Sequence, residues 1–427
     1  MQVSNKTKSL YSKITWRILP VLFVCYILAY IDRVNVGFAK LEMSEELWFN
    51  DAVFTLGSGI FFIGYFIFEV PGNLWMHRIG ARIWITRIMV TWGICSALCA
   101  LSTTSTHFYF FRFLLGVAEA GFFPSVILYL TYWYPRQYRA RIYAGFMMAV
   151  AFAGVFGSLL SGWLLDASTD FAFGKPWQWL FILEGVPSVV VGLMLPFLLT
   201  DRPAQASWLS ESEKTQLAAD LANSPEQTTE TISHWTQSFK SPVLWLCTFI
   251  YFSFVMGLYG ISFWLPQILQ NTFSAGNTRV GMLTAIPWFC AALGMVIFGW
   301  SSDRSGDRKW HLTGAGLIGL IAFYFAGSII GQPWLTLVFI CLATTAVMCS
   351  VSVFWSVPSS LLAGTAAAAG LAWINSVANL GGFLSPEMFN WLKAGYGLGA
   401  GLKATGIFLG LGSMAVLLLF KVARQKI

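Results

Sequence analysis

Gly299-Trp300-Ser301-Ser302-Asp303-Arg304-Ser305-Gly306-Asp307-Arg308 links one long apolar run to the next, and Asn73-Leu74-Trp75-Met76-His77-Arg78-Ile79-Gly80-Ala81-Arg82 does the same 226 positions earlier (303 − 77 = 226). Both contain Arg-x-Gly-x-Arg. A short basic loop recurring at matching positions in two halves of an apolar chain points to a duplicated membrane architecture whose site lies between the repeats.

Working outward from these loops, about twenty apolar residues are needed to cross a bilayer as a helix. On that ruler the first half offers runs near 17–39, 52–75, 83–102, 108–133, 140–165 and 178–199. The second half offers 243–270, 280–301, 311–330, 334–357, 367–391 and 399–421. The fold class read from this is an all-α membrane protein of twelve transmembrane helices in two pseudo-symmetric six-helix bundles. Its domains are a first bundle over 1–200, a polar linker over 201–241 and a second bundle over 242–427. Composition agrees: 57% of residues are hydrophobic and 11% charged, against about 25% charged in soluble domains. The linker contains Pro203, Pro225 and a run rich in Glu, Ser, Thr and Gln, and Ser210-Glu211-Ser212-Glu213 has the form of a helix-capping box.

Charge orients the chain. Of 26 Lys and Arg residues, Arg33 and Arg112 lie within apolar runs, and Lys40, Lys175, Arg279, Lys393 and Lys403 fall on one side. The remaining nineteen fall on the other side, the side of the two basic loops. The positive-inside rule then places the linker and both termini in the cytoplasm of a bacterial-type inner (plasma) membrane, the chain being multi-pass. The same distribution removes nucleic acid as a partner despite a net charge of +7. The seven cysteines lie in apolar runs without metal-ligand spacing and read as small core residues. The twenty Trp residues suit interfacial belts.

The two loops resemble the G-x-x-x-D-R-x-G-x-R signature of the major facilitator superfamily, complete in the second half and degraded in the first, where Asn73 and His77 replace its Gly and Asp. Four further stretches are similar to the anion:cation symporter branch of that superfamily. They are Tyr30-Ile31-Asp32-Arg33 to Ala39, Arg112 to Pro124, Trp179 to Gly185, and Gly364 to Gly382. The resemblance implies uptake of organic anions with protons, the matching Asp, Arg, Arg and Glu serving coupling and anion binding. It also implies gating by the loop residues Arg78, Asp303 and Arg304.

The residues support a parallel argument. An ionised side chain in hydrocarbon costs about 2.5–3.5 kcal/mol on insertion scales, so it faces a bundle interior or a watery cavity and marks a pathway. At 3.6 residues per turn Tyr26, Tyr30, Arg33 and Gly37 form one stripe, with Asp32, Asn35 and Val36 about 100° away. Asp32 and Arg33 therefore seek different partners. The fourth helix supplies Arg112 and Glu119, seven residues or about 10.5 Å apart on one face. The expectation is that Arg33 pairs with Glu119, that Arg112 faces the substrate carboxylate, and that Asp32 and Glu119 are the proton-coupling groups, Asp32 looking toward water.

Tyr30, Tyr65, Asn375 and Asn379 are expected to help bind substrate, the two amides sharing a face at i,i+4. Glu184 is expected to be structural or gating, and Glu69 to be satisfied by water or a basic loop. Neutral residues of the second half such as Tyr259, Trp264 and Gln267 are expected to select the substrate's far end.

No Gly-x-Ser-x-Gly, HExxH or facing haem-type histidines occur, so an enzyme is not expected. No cofactor is expected; the coupling ion is H+. The reading is a monomeric secondary transporter in the lipid bilayer, importing a small organic anion (a sugar acid, a tartrate-like dicarboxylate or an aromatic acid) by proton symport with alternating access. The alternative is a proton-coupled drug or metabolite efflux antiporter. The fifth helix reads Gly154-Val155-Phe156-Gly157-Ser158-Leu159, without the Gly-Pro pair usual there in such antiporters.

Overall fold

A computed structural model describes residues 5–222, 241–361 and 365–424. The first half comprises α1 (Asn5–Val34), α2 (Val36–Met43), α3 (Asp51–Ile79), α4 (Ala81–Leu98), α5 (Ser105–Glu119), α6 (Phe122–Thr131), α7 (Arg136–Ala167) and α8 (Pro176–Leu198). After the linker helix α9 (Glu211–Ala222), the second half follows with α10 (Pro242–Phe273), α11 (Asn277–Ser305), α12 (Lys309–Ser328), α13 (Pro333–Phe354), α14 (Pro358–Leu361), α15 (Thr365–Asn379), α16 (Gly381–Tyr396) and α17 (Leu398–Arg424). Among the described residues, eleven helices or joined helix pairs are long and apolar enough to cross a membrane. The broken pair α15–α16 makes the twelfth crossing.

Several crossings are interrupted among the described residues. α1 gives way to α2 at Asn35 and α15 to α16 at Leu380. α5 ends at Glu119, and Gly121 at φ 86° starts α6. That left-handed turn favours glycine because a Cβ would crowd the backbone there. Broken crossings expose helix ends inside the membrane, where their dipoles can act on charges.

Side-chain N-caps open α3 and α5. Asn50 precedes α3 and accepts from Val53 N at 3.0 Å, and Thr104 precedes α5 and accepts from His107 N at 3.2 Å. The capping box before α9 forms reciprocally: Ser210 N donates to Glu213 Oε2 at 2.8 Å and Glu213 N donates to Ser210 Oγ at 3.3 Å. Glu213 also pairs with Lys13 of α1 at 2.8 Å, and that ammonium holds its carboxyl below the usual carboxylate range.

The face carrying the two Arg-x-Gly-x-Arg loops is called the basic face below, and the opposite one, with Glu42, Glu45 and Glu46, the acidic face. At the acidic face the halves are pressed together. Ser158 and Gly162 of α7 lie against Asn277 and Gly281 of α11, and a Cβ on Gly281 would sit 2.5 Å from the Ser158 carbonyl oxygen. Small residues four apart on both helices allow this approach. Beside them Asp51 takes both Lys40 of its own half (2.6 Å) and Lys393 of the other (2.5 Å). Lys40 is buried over the rings of Phe54 and Trp264, 4.1 and 3.7 Å from their centroids. Asn277 Nδ2 donates to Glu42 Oε1 at 2.6 Å, adding a further cross-half contact.

Of the loop residues expected to gate the basic face, Asp303 and Arg304 make their contacts within their own loop. Asp303 is exposed and binds Arg308 of its own loop at 2.5 Å, and Arg304 lies over Trp300. The Arg78 side chain lies outside the described residues. In the first half, where the loop has lost its acid, Arg82 occupies the position of Arg308 and pairs with Asp201 beyond α8 at 3.1 Å. Arg82 and Arg308 thus each pair with a carboxylate that does not belong to the opposite bundle.

Two outcomes follow at the acidic face. Gly281→Ala forces a methyl against backbone, at a cost of about 1–3 kcal/mol, or roughly tenfold or more in the closed-to-open ratio. Maleimide labelling of a cysteine at the buried Thr284, in a background without the seven native cysteines, will rise accordingly; unchanged labelling refutes this closure. Asp51→Asn leaves the Lys40 ammonium buried without an acid, a loss of about 3–5 kcal/mol. Thermal unfolding in detergent will show a lower Tm, largely recovered by adding Lys40→Met, and an unaltered Tm would mean the trio contributes nothing.

Candidate functional site

Arg33 closes α1, beside the end of α5. A helix C-terminus carries negative partial charge, and here it also carries Glu119, so a cation is doubly favoured. Arg33 Nη2 donates to Glu119 Oε1 in a buried ion pair, while Nη1 donates to the Tyr259 hydroxyl of α10 at 2.6 Å. The guanidinium also lies over Phe61 and Tyr65, 5.3 and 5.5 Å from their centroids. One side chain therefore joins the two halves of the chain. Glu119 keeps its second oxygen, Oε2, without a partner.

Around Arg33 is a cavity of about 50 Å³, walled by Tyr26, Tyr30 and Tyr65 of the first half and by Tyr251, Tyr259, Asn375 and Asn379 of the second. Methionine and valine side chains complete it. The Tyr30 hydroxyl meets Ser262 Oγ of α10 at 2.9 Å, a second bond between halves. Tyr30, Tyr65, Asn375 and Asn379 are thus all on the cavity, as is Arg33.

The remaining expected site residues are placed differently. Arg112 is fully buried and does not line the cavity: its Nε donates to Gly57 O and its Nη2 to Arg33 O, both at 3.2 Å. It pins the backbones of α3 and α1 instead of facing substrate, because those carbonyls lie across its helix face. Asp32 does not look toward water either. It is buried among three donors, Ser96 Oγ at 2.6 Å, Ser188 Oγ at 2.6 Å and Trp92 Nε1 at 3.1 Å. Glu184 lies in the same part of the first half and accepts from Ser161 Oγ at 2.6 Å; its contacts do not span the halves.

Glu69 corrects a further expectation. Neither water-facing nor met by the basic loop, it is buried near the basic face and receives Asn375 Nδ2 at 2.8 Å and Ser376 Oγ at 2.5 Å from α15. Asn375 therefore lines the cavity while tied across the halves, and Asn379 Nδ2 donates to its backbone oxygen at 3.0 Å. Sequence spacing contained a signal for Glu69, since Phe61, Tyr65 and Glu69 are four apart on α3 and share one face. Tyr259 as the second-half partner of Arg33 had no such signal, because nothing in the spacing aligns α1 with α10.

The chemical inventory is two guanidiniums, which stay charged, and four buried carboxyls, Asp32, Glu69, Glu119 and Glu184. Only one arginine is ion-paired within this set. Arg33 is the guanidinium of this set that borders the cavity, and its carboxylate partner is Glu119.

A sequence profile of the Major Facilitator Superfamily matches residues 22–386. A putative tartrate transporter of Agrobacterium vitis is 42% identical over 89% of this chain and 84% of its own length. A quinolone resistance transporter of Acinetobacter baumannii is 36% identical over 98% and 97%. Among solved structures, the inward-facing, unoccupied form of a bacterial homologue of the human lysosomal transporter Spinster superposes with a TM-score of 0.78 at 18% identity, covering 95% of this chain and 97% of that one; this likeness concerns the fold. With a profile spanning most of the chain, a twelve-crossing fold in two halves and a charged cavity between them, the chain belongs to the Major Facilitator Superfamily and is a membrane transporter of small molecules.

Proposed function

We propose that the chain imports a small organic anion together with protons by alternating access, with the basic face toward the cytoplasm. The observation that carries this reading is the position of Arg33. Its guanidinium borders the cavity, yet its two terminal nitrogens are occupied by Glu119 of one half and Tyr259 of the other. A carboxylate entering the cavity competes with Glu119 for that fork, which is shaped for bidentate recognition. Protonation of Glu119 removes its charge and leaves Arg33 to the substrate. Once substrate leaves, Glu119 loses its proton and takes Arg33 back.

Because Tyr259 belongs to the second half, each change of partner at Arg33 alters a contact between halves. Proton and anion thereby bias the same two-state movement, which is what coupling requires. In this scheme Arg112 acts through Arg33, fixing the backbone from which the guanidinium projects. The tartrate-transporter relative supports a small carboxylate as the substrate class, and the tyrosine, methionine and valine walls suit a sugar acid less than a tartrate-like or aromatic acid. The quinolone-resistance relative and the same apolar walls favour a second reading, proton-coupled efflux.

Proteoliposomes decide between them. Labelled tartrate is expected to accumulate when the interior is made alkaline, and a quinolone counterflow driven by the opposite gradient would favour efflux. Glu119→Gln is expected to abolish gradient-driven accumulation while preserving tartrate exchange. Arg33→Lys, which loses the fork but keeps the charge, is expected to weaken half-saturation by about tenfold or more, the scale of about 1.4 kcal/mol. Retained accumulation in Glu119→Gln would refute the coupling role.

A further inference from the structure

Glu184 is a buried acid outside the exchange just described. On α8 it shares a face with Ser188, four residues on, and Ser188 Oγ is bound to Asp32. On α1, Asn35 lies three residues beyond Asp32 and beside Glu184. The faces of α1 and α8 therefore bring two carboxyls, two serines and an amide into one cluster, which Ser161 of α7 and Ser96 and Trp92 of α4 complete. Among the described residues no cation pairs with either acid.

The groups facing the pair come from every neighbouring helix. Glu119 of α5 acts on Asp32, and Arg112 and Cys99 feel Asp32 in turn. Arg112 gives Nε and Nη2 to backbone carbonyls, and its Nη1 has no partner, so it makes no ion pair with Asp32. The charged group acting on Glu184 is Asp32 itself. Lys40 of α2 is committed to Asp51. Two acids in one buried cluster without a paired cation cannot both stay ionised in a low-dielectric interior. A metal ion does not resolve this, because Asp32 is ringed by N–H and O–H donors, and the Trp92 nitrogen has no lone pair to offer.

The unpartnered atoms indicate what does. Glu184 Oε1 accepts from Ser161, while Glu184 Oε2 and both amide atoms of Asn35 have no partner. A neutral Glu184 with its hydrogen on Oε2 needs an acceptor, and the Asn35 amide oxygen is one. Next to Asn35 is a second cavity of about 20 Å³, lined also by Ser158, Ser161, Ser262 and Thr284, whose hydroxyl is likewise unpartnered. It has room and polar walls for one water. Ser262 bonds Tyr30, and Tyr30 borders the main cavity.

We propose that Asp32 and Glu184 form a one-proton carboxyl pair, with the proton on Glu184 Oε2. The Asn35 amide and a water in the second cavity connect the pair through Ser262 and Tyr30 to the main cavity. This deepens the proton-coupled reading and rests on it: Glu184 is a proton-holding residue beside the substrate exchange, and the Tyr30–Ser262 bond between halves lies on its route.

Infrared pH titration of the purified full-length protein tests this without substrate. A carboxylic-acid C=O band present in the wild type at neutral pH will be missing from Glu184→Gln. In Ser161→Ala the band will remain but move to higher frequency, because its C=O has lost its hydroxyl donor; this variant keeps the test open if Glu184→Gln fails to fold. Asp32→Asn will shift the pH at which the band disappears by about one unit or more, the mark of an interacting pair. Identical carboxylic-acid spectra in wild type and Glu184→Gln, or a band indifferent to Ser161→Ala, would overturn the proposal. Tartrate uptake by wild-type proteoliposomes is measured in parallel. Gradient-driven uptake without a Glu184 band refutes this proposal alone, whereas a Glu184 band without such uptake supports the proton holder and refutes symport.

Discussion

A charge inside a bilayer has no water to solvate it, so it must find an opposite charge, a dipole or a proton within the bundle. The pairing of Arg33 with Glu119 is the meeting point of this constraint. Glu119 ends α5 because Gly121 turns the chain there, and the negative helix end reinforces the carboxylate that Arg33 requires. Arg33 in turn reaches Tyr259 and so holds the second half against the first.

The other buried acids solve the same problem without a cation. Asp32 gathers three donors from α4 and α8, and Glu69 takes an amide and a hydroxyl from α15. Such dipolar partners support either protonation state, since a carboxyl can accept from them whether or not it carries a hydrogen. An arginine partner favours only the ionised form. The first half thus contains one buried carboxyl paired with a guanidinium and others held by neutral groups.

Much of the architecture was legible in sequence because the bilayer simplifies the reading. Span length, loop charge and the 226-residue repeat each follow from hydrocarbon thickness or duplication, and none needs a tertiary contact. The Arg33–Glu119 pairing was legible too, from helical stripes and charge balance. The break at Asn35 was not, since no glycine or proline adjoins it to announce a break, whereas the break at Leu380 is followed by Gly381-Gly382. Arg112 and Asp303 were misread for a common reason. Sequence identified their charge but not the nearest hydrogen-bond partner, which for Arg112 is a pair of accepting carbonyls on two other helices and for Asp303 a donating arginine five residues away.

The two faces are closed by different chemistry, and this bears on how such a molecule alternates. At the acidic face the seal combines backbone contact at Gly162 and Gly281, a shared carboxylate between two lysines, and aromatic rings beneath them. Opening it separates Lys393 from Asp51 but leaves Lys40 with its acid, since Lys40 and Asp51 travel together in the first half. The cost of parting is therefore one ion-pair contact and the packing, not the stranding of a buried ammonium. Toward the basic face the contact is Glu69 with Asn375 and Ser376, hydrogen bonds from neutral donors that water can replace as the halves separate. Arg33 sits between these seals, bonded to both halves. A change in what Arg33 holds therefore alters a contact between the halves that lies between the two closures.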